Sequence, residues 1–134
     1  MPAQREPGSA AEWMALARGH LVQARAPKLE GAFWEFNCFH AQQAAELALK
    51  AVHQHFQFLF RRTHNLEDLC DRLEQEGTDV PNEVREAVAL NLYAYATRYP
   101  REAEAITEQD RDEAVRLAET VIRWAEALIG VRIC

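Results

Sequence analysis

The chain has 134 residues, a formal charge of −6, 49% hydrophobic and 27% charged residues. That is the size of one domain, long enough to bury a core without staples, and its acid excess excludes a global basic field that would draw in nucleic acid. No run reaches the length of a membrane span and the start lacks the apolar stretch of a signal peptide. Three cysteines, odd in number and far apart, point to reduced thiols, so the expected location is the cytoplasm.

Met1 to Gly8 carries two prolines and reads as a loose tail, leaving residues 9–134 as one helical domain. Ser9 and Glu12 have the spacing of a capping box, and a first helix follows to about Arg25. Its inward stripe is Trp13, Leu16, Ala17, His20, Leu21 and Ala24. Ala26-Pro27-Lys28 ends it. Gly31 marks a turn before a long second helix, about Ala32 to Leu59. Asn65 is the expected N-cap of a short third helix, Leu66 to Glu76, closed by Gly77. Pro81 opens a fourth, about Asn82 to Ala96, with Val84, Ala87, Val88, Asn91, Leu92 and Tyr95 on one face at helical spacing. Pro100 prevents it from continuing. Thr107 with Asp110 caps a fifth helix, whose inward face is Ala114, Leu117, Ala118, Val121, Trp124, Ala125 and Leu128. Gly130 stops it. No segment alternates as a strand would, so the fold class is all-α. Helices 1, 2, 4 and 5 suffice for an antiparallel four-helix bundle, with the additional short third helix lying across the end of the second.

The second helix is the least ordinary. At about 100° per residue, Phe36, Phe39, His40 and Leu47 gather on one side. Cys38, Ala45, Leu49, Val52 and Phe56 gather roughly opposite, and Ala44, Ala48 and Ala51 lie between. One polar arc remains: Glu35, Gln42, Gln43, Glu46, Lys50, His53 and Gln57. A surface helix ordinarily buries one stripe. Two apolar sides predict a central position and a face for a second subunit, with the polar arc as a place for function.

Three segments in order, FHAQQAAELALKA at Phe39–Ala51, THNLEDL at Thr63–Leu69 and TRYP at Thr97–Pro100, resemble the HEPN superfamily of small helical domains. They resemble most the prokaryotic branch that accompanies minimal nucleotidyltransferases. The resemblance implies the same bundle, pairing into a homodimer across a helical face, and a small nucleotidyltransferase as partner. Catalytic HEPN toxins carry an arginine followed after four to six residues by a histidine that serves acid–base chemistry. Here the matching region begins at Arg98, and the histidine's positions hold Ala103, Glu104 and Ala105. None of His20, His40, His53, His55 and His64 has an arginine at that distance upstream. RNA cleavage by the family's usual route is therefore not expected, and no catalytic residue is assigned.

The candidate ligand- or partner-binding residues are Gln42, Gln43, Glu46, Lys50, His64, Arg98 and Tyr99. Arg98 offers a planar fork for phosphate or carboxylate and Tyr99 a stacking face. Together they either meet a nucleotide or a partner, or pair and pack within the bundle. Glu46 and Lys50 stand four apart in the favourable order. With Gln42, Gln43 and Arg98 they either line a groove or form a solvated stripe. His64 stands before a helix start, where it fixes the turn or, with Arg61 and Arg62, meets an anion. His53 and His55 point about 200° apart on one helix, so they do not share a metal, and no metal site or cofactor is expected. ATP or another nucleotide is the ligand to test. The resulting expectation is a non-catalytic HEPN-type module, homodimeric, partnered with a nucleotidyltransferase. The alternatives are an RNase toxin of a toxin–antitoxin pair with a divergent active site at His64, or a structural helical dimer. In toxin–antitoxin pairs the resemblance implies that the transferase modifies a tyrosine, for which Tyr93, Tyr95 and Tyr99 are candidates.

Overall fold

A computed structural model of the chain describes residues 8–59, 62–94 and 105–130. Its elements are α1 (Ala10–Arg25), α2 (Trp34–Phe56), α3 (Leu66–Gln75), α4 (Asn82–Arg85) running on as a 3₁₀ segment (Glu86–Tyr93), and α5 (Glu108–Ile129). The fold is all-α, with no strand among the described residues. No helix among them is long and apolar enough to cross a membrane.

The caps fall where the sequence places them. Ser9 and Glu12 bond reciprocally at the start of α1, and Thr107 and Asp110 do the same for α5. Asn65 accepts from the Glu67 amide to start α3. The second helix is shorter than expected. It ends at Phe56 because Gln57 turns left-handed, φ 58°, and the Phe58 amide reaches back to the His53 carbonyl at 2.9 Å. That is a helix-ending motif usually served by glycine. The sequence offers no glycine there to signal it.

Side-chain pairings fix the directions. His20 meets His40 and Trp13 meets Lys50, so α1 runs antiparallel to α2. Arg18 pairs with Glu126 and Arg25 with Glu119, so α1 also opposes α5. Helix α2 packs against α1, α5, α3 and the 3₁₀ segment, which makes it the central element. Small residues line its buried surface, Ala41, Ala44, Ala45, Ala48 and Ala51, and the neighbouring α5 buries Ala114, Ala118 and Ala125. Alanines let two backbones approach closely, while Met14, Leu49, Leu66, Leu73, Leu90 and Ile122 fill the wider gaps.

Two expected faces are corrected. On α1, Leu16 is 58% exposed and Met14 takes its place in the core. On the fourth segment Leu92 is 58% exposed, whereas Leu90 is 1% exposed. The 3₁₀ geometry explains the second change. With three residues per turn, Val84, Ala87, Leu90 and Tyr93 fall in line, and the 3.6-residue phase that selects Leu92 does not apply. Two bonds tie the third-helix region to α2: the Gln42 amide donates to the His64 carbonyl at 3.2 Å, just before α3, and His53 Nε2, near the end of α2, donates to the Leu69 carbonyl within α3 at 3.1 Å.

Candidate functional site

The middle of the polar arc of α2 is buried rather than solvated, while Glu35 and Gln43 are half-buried and Gln57 is exposed. Gln42 and His53 are fully buried, Glu46 is 2% exposed and Lys50 6%. The cover comes from elsewhere in the chain. The segment entering α3 closes over one side, and the Trp13 ring lies 5.8 Å from the Lys50 ammonium, a cation–π distance. A charged pair is tolerated inside only when its hydrogen bonds are complete, and this one is well supplied. Glu46 accepts from Lys50 Nζ at 3.1 Å, from Gln42 Nε2 at 3.1 Å, and from His64 Nδ1 at 3.0 and 3.1 Å. Gln43 donates to the Gln42 carbonyl oxygen at 2.7 Å.

The contact with His64 leads outward. A carboxylate accepts only, so Nδ1 carries a proton and Nε2 is the ring nitrogen not engaged by Glu46. The His64 side chain is 63% exposed. It lines a surface pocket of about 310 Å³ with Thr63, Asn65, Asn91 and Ala94. Two asparagines build the floor. Asn91 accepts from the Leu66 amide at 2.9 Å and donates to Asn65 at 2.8 Å, so with Asn65 accepting from Glu67 the first two amides of α3 are satisfied. Thr63 braces the turn through the Asn65 amide at 3.0 Å.

Five of the seven candidate residues thus form one cluster: Gln42, Lys50 and His64 bond the Glu46 carboxylate, and Gln43 joins through Gln42. Arg98 and Tyr99 lie outside the described residues, as do Arg61 and Tyr95. Asn91 was not expected at the site, although an asparagine in an otherwise apolar stripe is the signal for it. Burial pushes the His53 imidazole down to about 4, with the Arg72 and Lys50 charges acting the same way. It is therefore a neutral donor that locks α3 onto α2. Burial pushes the Cys38 thiol up to about 12 and Cys70 to about 11, which keeps both as unreactive hydrophobes.

At the opposite end, Asn37 donates to the Ala24 and Ala26 carbonyls at 3.2 and 3.0 Å, and Arg111 reaches Ala26 at 3.0 Å while stacking 4.7 Å above Trp34. These groups close the C-terminus of α1, where a cation opposes the negative end of the helix dipole.

The outward side of α2 is the apolar one. Phe36 is 42% exposed, and Phe39, His40 and Leu47 are half-buried. Leu16 lies one turn from His20 on the neighbouring helix. An exposed Phe36 with a carboxylate and an ammonium inside departs from the usual pattern, although most of what α2 buries is apolar: Cys38, five alanines, Leu49 and Val52.

A model of the HEPN domain matches residues 10–128. The crystal structure of an archaeal HEPN homologue is similar at 27% identity and a TM-score of 0.73, covering 92% of this chain and 99% of that one. The crystal structure of TT1696 from Thermus thermophilus is similar at 32% identity and a TM-score of 0.71, covering 88% and 96%. No curated protein matches the chain.

Proposed function

The chain belongs to the HEPN domain family, and on that footing we propose that it is a non-catalytic interaction module: a cytoplasmic homodimer that partners a small nucleotidyltransferase. The observation that carries this reading is the inverted second helix. Leu16, Phe36, Phe39 and Leu47 form an outward apolar face of the kind that marks a protein interface. Non-catalysis rests on the residues at 103–105, where the family's histidine is replaced by Ala103, Glu104 and Ala105. A nucleotide would find little in the buried pair, since Lys50 is already neutralised by Glu46. Its phosphate contacts fall to His64 and to the Arg98–Tyr99 segment.

Native mass and light scattering test the dimer. A mass near twice 15.3 kDa is expected, and the double variant Leu16→Asp, Phe36→Asp should be a folded monomer. An unsubstituted chain that stays monomeric at micromolar concentration would sink the reading. Co-elution with a small nucleotidyltransferase from the same genome, and native mass with ATP and magnesium, test the partner and the nucleotide.

A second reading has one specific observation in its favour. A buried carboxylate holding the Nδ1 of an exposed histidine beside a pocket is the arrangement that orients a general base. In that case the chain is an RNase with His64 as its acid–base group and Arg62 nearby. His64→Ala would then abolish cleavage of RNA by the pure protein, and absence of cleavage in the unsubstituted chain eliminates this reading.

A further inference from the structure

His20 on α1 and His40 on α2 face each other across the seam between the helices, Nδ1 to Nδ1 at 3.0 Å. Their rings are 5.2 Å apart and tilted by 31°, half-buried, and outside the Glu46 cluster. The geometry points to a binding site for a first-row divalent transition-metal ion, held by the Nδ1 atoms of His20 and His40 as adjacent ligands.

Two features carry the assignment. The first is separation. With metal–nitrogen bonds of about 2.0–2.1 Å, two ligands at a right angle stand about 2.9 Å apart and at the tetrahedral angle about 3.3 Å apart. The observed 3.0 Å fits the right angle of square-planar or octahedral nickel or copper, and zinc needs only a small opening of the pair. The second is support. The two rings stand on different helices of one packed bundle, and Phe39 packs edge-on to His40 with ring centroids 5.6 Å apart. The ligand separation is therefore set by the fold rather than by a mobile loop.

In the metal-free pair one ring donates its Nδ1 proton to the other. Binding moves that proton to the donor ring's own Nε2, so both rings stay neutral and no proton is released. Among the described residues no third histidine, cysteine or carboxylate joins them, so water completes the coordination. Occupancy would clamp α1 to α2 on the same side as the exposed Leu16 and Phe36.

The test titrates the full chain with nickel and zinc chloride by calorimetry and counts bound metal after gel filtration. The expected result is saturation at one ion per chain, or one per two chains where two copies share it. His20→Gln and His40→Gln should each weaken binding by more than about tenfold, with the double variant little worse than either, as a chelate requires. His55→Gln should leave binding unchanged. Binding that survives the double variant, or either single variant with unreduced affinity, overturns the assignment, and so does no saturable binding. If a variant fails to fold, NMR of the unsubstituted chain decides. Zinc must shift the ring signals of His20 and His40, and shifts confined to His55 and His64 refute the site.

Discussion

Replacing Lys50 by Met is the sharpest probe of the inverted helix. The substitution keeps the length of the side chain and removes the cation from a carboxylate that is 2% exposed. Glu46 would retain Gln42 and His64 but lose the ammonium bonded to it at 3.1 Å. Breaking one side of a buried pair costs about 3–5 kcal/mol. An unfolding entropy of about 2.1 cal/mol/K per residue over 134 residues makes 1 kcal/mol worth about 3–4 °C. The Tm should therefore fall by about 10–18 °C, read by circular dichroism with urea melts alongside. The double variant Glu46→Leu, Lys50→Met removes both charges and should recover to within about 1–2 kcal/mol of the unsubstituted protein. A single variant that loses less than about 1 kcal/mol would match an exposed pair. Water would then reach Glu46, and the argument for an inside-out second helix would fail.

Three further outcomes follow from the same contacts. His53 is held neutral with its pKa about 4 against the ordinary 6.5; the unfolded chain therefore binds more protons, and stability present above pH 6.5 is lost as pH falls toward 4, by about 3 kcal/mol for this group. Urea midpoints against pH should show that slope, and His53→Gln should flatten it while the milder pull of His20 and His40 in the same direction remains. Leu90→Ala should cost about 2–5 kcal/mol as a core truncation and Leu92→Ala less than about 0.5 kcal/mol; equal losses in thermal melts would contradict the 3₁₀ phase. Ser9→Ala should lower stability by about 1 kcal/mol through loss of the capping box, seen in the same melts and restored by Ser9→Asp.

Much of the helical plan was readable from the chain. Caps, glycines and prolines are local devices, so Ser9, Asn65, Gly77, Thr107 and Gly130 set their boundaries without reference to tertiary structure. The alanine run of α2 likewise announced a central helix, since residues that small leave room for a neighbour's backbone. Legibility fell where geometry changed or where a distant segment intervened. Leu92 was expected inside because a 3.6-residue period was assumed, and the 3₁₀ turn shifts the buried position to Leu90. The site was half readable. Glu46 and Lys50 stood out as a pair, but nothing local to α2 said that Trp13 and the start of α3 would cover them, or that His64 would reach the same carboxylate.

By itself, then, the sequence determined the order of the helices, their capped ends and the membership of one domain family, because those depend on neighbours within a few residues and on motifs in fixed order. Only the tertiary structure decided which side of α2 is inside. A helix with apolar groups on two sides and charges on a third has more faces than one core can take. Which face meets solvent is chosen by the segments that pack on it: α3 and Trp13 close over the charged arc, complete its hydrogen bonds, and leave Phe36 and Leu16 outside.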